Sequence, residues 1–156
     1  MNKILIIGIG NGSRGDDALG WMLLERLEGK VSPEVTLHYA FQLSIEDALM
    51  LTDYETVVFI DASKNRYPEG YACRRLETPA AGNAAFTSHA QTPDNIMYLA
   101  HQLYDHCPVA WVLEISGEHW ELGSPLSGRA AEHLESATVF FQKWLSDVDS
   151  FQLLSN

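Results

Sequence analysis

Asp16, Asp17, Asp61 and His89 are the side chains in this sequence whose types and setting suit chemistry. Asp16 and Asp17 are adjacent in "GIGNGSRGDDALG", residues 8–20, directly after an apolar run. Asp61 follows four apolar residues in "VVFIDAS", and His89 lies in "FTSHAQTP" just ahead of an expected helix. Two carboxylates and an imidazole form a hard-to-borderline donor set for Zn, Ni, Fe or Mn, and three such ligands leave positions open for water or substrate. Neighbouring carboxylates repel, and a cation relieves that repulsion. An acidic residue in a first helical turn also has a plainer role, stabilising the helix dipole by ~0.3–1 kcal/mol. Asp16 is the candidate general base, in competition with that role.

The glycine-rich turn admits a second reading. Gly10-Asn11-Gly12-Ser13-Arg14-Gly15 matches G-x-G-x-x-G between a strand and a helix, the context of a dinucleotide-binding fingerprint. That fingerprint needs an acidic residue at the end of the second strand, where this chain has "HYAFQL". A pyrophosphate would also have to sit beside Asp16 and Asp17, which already occupy the anion-attracting helix start. A cation suits the turn better. Gly10, Gly12 and Gly15 are then expected to serve backbone geometry. Neither a Ser-His-Asp nor a Cys-His set is apparent, since Ser13 and Ser88 lack an evident base. Arg14 reads as a solvated loop charge.

These residues must be positioned by elements legible in the pattern. Residues 3–9, 35–41, 56–62, 71–77 and 108–115 read as strands, the first and third apolar on both faces as in a covered sheet. Helices are expected from Asp17 to Glu28, from a Ser44/Asp47 capping box to about Leu51, from an N-cap at Thr92, and over 128–146. Ile96, Leu99 and Leu103 mark the apolar face of the third helix. Ala130, Leu134, Ala137, Phe141, Trp144 and Leu145 mark that of the last. Only "SKNRYPEG" separates strands three and four, too short for a crossover helix, so strand four is expected to run antiparallel. The fold class is α/β: one three-layer domain, 1–156, with a mostly parallel five-stranded twisted sheet, helices on both faces and a loose tail over 146–156. Sites in such sheets form beyond the carboxyl ends of the strands, where Asp17 and Asp61 emerge.

Composition narrows the function further. A net charge of −11 argues against nucleic acid and anionic membrane surfaces as partners. Cys73 and Cys107 are far apart in no C-x-x-C pattern and read as reduced thiols of a cytoplasmic protein. The start of the chain lacks a secretory pattern and no apolar run is long enough to span a membrane. Size and charge suggest a monomer.

Taken together, Gly8 to Gly20 (G-x-G-N-x-x-x-G-D-[DE]-x-x-G), the "IDA" after strand three, the histidine before the next helix and the late "ELGSPLSG" resemble the NiFe-hydrogenase maturation endopeptidases over nearly the whole chain. The resemblance implies a metal-dependent endopeptidase that removes a C-terminal extension from the hydrogenase large-subunit precursor after nickel insertion. It places the metal contacts, and with them catalysis, on Asp17, Asp61 and His89. The first of these is often Glu in the family and is here one methylene shorter. The nickel is expected to come from the substrate's own site, with another divalent metal as a substitute in vitro. The alternatives are a non-cleaving nickel-sensing chaperone of the same precursor and a nucleotide-binding Rossmann-type protein.

Overall fold

The computed structural model describes residues 2–77 and 91–155, with backbone alone over 149–155. Five strands, β1 (Ile4–Ile9), β2 (Val35–Ala40), β3 (Thr56–Ser63), β4 (Tyr71–Leu76) and β5 (Val109–Ser116), form one sheet in the order β2-β1-β3-β5-β4. All neighbours run parallel except β4, which pairs antiparallel with β5. The short "SKNRYPEG" connection thus does what its length requires.

Between these strands lie α1 (Leu19–Leu27), α2 (Asp47–Met50), α3 (Pro93–Tyr104) and α4 (Gly128–Ser155). Helices α1 and α4 cover one face, packing on Ile4, Ile6, Val58, Ile60, Leu113 and Ile115. Helices α2 and α3 cover the other, on Leu5, Ile7, Val57, Phe59, Ala110 and Val112. Successive residues of a strand face opposite sides, so strands sandwiched this way must be apolar at every position. That is why β1 is buried along its whole length.

Local signals were read correctly where they depend on near neighbours. The Thr92 hydroxyl accepts the Asn95 backbone N–H at 3.1 Å, with Pro93 at the first position of α3. The Asp47 carboxylate accepts the Ser44 N–H at 2.7 Å, but α2 starts only at Asp47, after a Glu46 cap with no side-chain bond, so the expected capping box is half formed. Other features differ from the sequence expectation. The helix expected from Asp17 starts as a 3-10 turn over Gly15–Ala18, so both aspartates lie on that turn and precede α1. Leu103 is exposed, and Met97 and Ala100 join Ile96 and Leu99 in the buried face. Helix α4 continues to Ser155, past the end expected near residue 146.

The chain runs from β1 outward to β2 and then back to β3 on the far side of β1. This reversal is a topological switch point at the carboxyl ends of β1 and β3, the place where open α/β sheets form a ligand-binding crevice.

Candidate active site at the carboxyl ends of β1 and β3

The crevice begins with a close backbone approach. A Cβ on Gly20 would lie 2.6 Å from the carbonyl oxygens of both Ile9 and Ile60, and one on Gly8 would lie 2.8 Å from that of Gly20. Bare backbone therefore lets the start of α1 settle directly on β1 and β3. A Cβ on Gly10 would come within 2.0 Å of the Asp17 carbonyl oxygen, and Gly15 takes a left-handed φ of 53°. These two glycines have the roles expected from the sequence. Gly12 does not: a Cβ there would make only ordinary contact, 3.5 Å from the Trp21 ring, and its φ is not positive.

The turn holds Asp17 partly buried. Its N–H donates to the Arg14 carbonyl at 3.0 Å, and its own carbonyl accepts the Asn11 N–H at 3.2 Å. Burial raises the pKa of its carboxyl, against the opposing influence of the Arg14 guanidinium. Arg14 is exposed, as expected, yet close enough to act on Asp17 electrostatically.

Asp61 lies near the end of β3, where the core gives way to the crevice. Its Oδ1 accepts the Ala62 N–H at 2.8 Å. Burial pushes its carboxyl up to about 7, and the charges of Asp17 and Glu114 add to the rise. The charge of Asp17 thus reaches Asp61, and the two carboxylates are near enough to interact. His89 lies outside the described residues. The chain re-enters them at Gln91, which pairs with Leu43 beyond the end of β2. Among the described residues, no group of three or more His, Cys, Asp or Glu side chains is arranged to hold a metal ion.

Glu114 is a neighbour that sequence reasoning missed. It stands opposite Asp61 in the β3–β5 register. Its Oε2 accepts the Tyr67 hydroxyl at 3.0 Å, and the Arg74 Nε lies 3.7 Å from its Oε1. A signal was present: "WVLEIS" repeats the "VVFIDAS" pattern of a carboxylate after an apolar run, near the end of a buried strand.

Asp16 behaves quite differently from Asp17. It is fully buried. Its Oδ2 accepts the N–H groups of Glu118 (2.6 Å) and His119 (2.9 Å) and the Ser127 hydroxyl (2.7 Å), while Oδ1 accepts the Ser127 N–H (2.8 Å). Burial alone would raise its pKa, but these four donors together outweigh burial and hold the carboxyl below the usual range. An ionised carboxylate with both oxygens engaged is a poor proton acceptor, so the geometry favours a structural part over the general-base role. The Cys73 thiol on β4 is a poor nucleophile, since burial pushes it up to about 11.

No protein-family model matches the chain, and neither does any curated protein. Solved structures do. The chain is similar to the [NiFe] hydrogenase maturation protease HycI from Thermococcus kodakarensis KOD1, at 21% identity over 93% of each chain and a TM-score of 0.70. It is also similar to the hydrogenase maturating endopeptidase HybD from E. coli, at 20% identity, 94% of this chain, 93% of that one and a TM-score of 0.70. An endopeptidase from Escherichia coli superposes with a TM-score of 0.72 at 19% identity, covering 94% of this chain and 93% of its own. With more than nine-tenths of each chain covered, the chain has the fold of the hydrogenase maturation endopeptidases.

Proposed function

We propose that this chain is an endopeptidase that removes the C-terminal extension of a NiFe-hydrogenase large-subunit precursor after nickel insertion. The observation that carries the reading is the meeting of Asp17 and Asp61 in the crevice of a maturation-protease fold. Their charges disfavour one another, and a divalent cation shared between them would remove that cost. The donor set therefore fits a nickel ion delivered by the substrate, with His89 as the third contact.

Substrate-borne nickel supplies Lewis acidity for peptide hydrolysis. The chain's own residues bind and orient. Asp17 and Asp61 contact the loaded site from the two strand ends, and Gly10 and Gly15 fix the turn from which Asp17 projects. Burial raises the Asp61 carboxyl to about 7, and a cation at the site would favour its ionised form. Solubility, a monomeric state and a cytoplasmic setting suit such a substrate; no described helix is long and apolar enough to cross a membrane.

The test is mass spectrometry of a large-subunit precursor incubated with the protein, with and without nickel loaded. Loss of a defined C-terminal peptide from the loaded sample alone supports the protease. Tight binding without cleavage would replace it with the chaperone.

A further inference from the structure

The turn that carries Asp17 is fastened to a segment about a hundred residues further along the chain, and one buried side chain joins them. The Asp16 carboxylate takes all four of its hydrogen bonds from Glu118, His119 and Ser127. Two backbone bonds run beside it: the Asp16 N–H donates to the His119 carbonyl and the Gly123 N–H to the Ser13 carbonyl, both at 2.7 Å. The seam is closely fitted. A Cβ on Gly117 would lie 2.7 Å from the Asp16 Cβ, and one on Gly15 would lie 2.4 Å from the Ser124 hydroxyl. Ser127 has a second task, since its Oγ also accepts the Ala130 N–H at 3.1 Å in the first turn of α4. The start of α4, the segment 117–127 and the turn carrying Asp17 are thus fastened at one point.

We infer that Asp16 is a positioning residue for the proposed cleavage, fixing the reach of Asp17 by locking its turn to the segment 117–127 and to the first turn of α4. This rests on the protease reading above. The dipole of one helical turn does not require such an arrangement, because a carboxylate serving that role points at its own helix and can remain in water. Here the charge is buried, and its donors come from another part of the chain. A buried charge held by four donors is costly to disturb, and it specifies one geometry for the groups around it. Asp17 is the next residue, so a shift of the Asp16 carboxylate is carried along the backbone to the proposed nickel contact. Misplacement of a reacting group by about 1 Å costs on the order of 100-fold in rate.

Asp16→Asn replaces one acceptor oxygen with an amide that faces N–H and O–H donors. Ser127→Ala removes a single hydroxyl bond and is the milder change. Both variants are compared with the unaltered protein on nickel-loaded precursor, at matched folded concentration judged by circular dichroism. The expected result is a kcat lowered by about 10- to 100-fold with KM changed by less than about twofold. The smaller loss is expected in Ser127→Ala, and the double variant should lose less than the product of the two single effects. A folded Asp16→Asn that cleaves at the unaltered rate overturns the inference, and if it does not fold, an unaltered kcat in Ser127→Ala does so. The backbone amide signal of Asp17 in ¹⁵N–¹H spectra reads the coupling without substrate. It should move in Ser127→Ala while signals from β1 and β3 stay in place, and an unmoved Asp17 signal contradicts the inference. If the unaltered protein leaves the precursor whole while Asp17 still moves, the protease reading fails and the coupling between the two segments stands.

Discussion

Burial keeps the Asp61 carboxyl protonated in the fold up to about 7, whereas a free aspartate ionises near 3.8. The folded state therefore holds a proton that the unfolded chain has already released between these values. Stability from that proton is fully present below about pH 4 and is lost as pH rises through about 7. Asp61→Asn keeps the shape and the acceptor for the Ala62 N–H without the charge. In chemical denaturation at pH 8, this variant is expected to be more stable than the unaltered protein by at most about 4 kcal/mol. The difference should vanish below pH 4, and cleavage should be lost throughout. Glycine substitutions in the turn separate close approach from mere presence in a motif. Gly10→Ala drives a methyl into the Asp17 carbonyl and is expected to cost about 2 kcal/mol or more. Gly12→Ala meets only the Trp21 ring at ordinary distance and should remain within about 0.5 kcal/mol. Their denaturation midpoints check both expectations.

Elements differ in how far their sequence determines them. The Thr92 cap of α3 uses a donor three residues away, and Thr92→Ala should lower stability by about 1 kcal/mol in the same assay. The stripe of α4 is likewise a periodic signal: Ala130, Leu134, Ala137, Phe141 and Leu145 are all buried, while Trp144 at its edge is half-buried. Phe141 is fully buried and stacks on Trp144 at 5.4 Å, so Phe141→Ala should cost about 3–5 kcal/mol. Period and spacing made the helices, the strands and the antiparallel β4 legible. Leu103 escaped the pattern because helical spacing gives a stripe but not its width, and Met97 and Ala100 fill the face instead. The partners of Asp16 escaped for another reason. They lie 102, 103 and 111 residues away, and no local rule reports a contact made by folding alone. Glu114 beside Asp61 depends likewise on strand order, which sequence spacing leaves open. The expectation for His89 falls outside the described residues.

At the scale of the whole molecule, a doubly covered sheet collects its chemistry at one edge. The strand reversal opens a crevice there, glycines bring helix and strands together, and Asp16 ties the late segment to the early turn. A net charge of −11 suits a protein whose proposed partner presents a cation. The most direct measurement is the mass of a large-subunit precursor before and after incubation, nickel-loaded and nickel-free, with the unaltered protein and with Asp17→Asn, Asp61→Asn and His89→Ala. The account predicts loss of one C-terminal peptide from the loaded precursor alone, abolished by each of the three substitutions. A loaded cognate precursor that keeps its full mass, or is cut equally well without nickel, would contradict it.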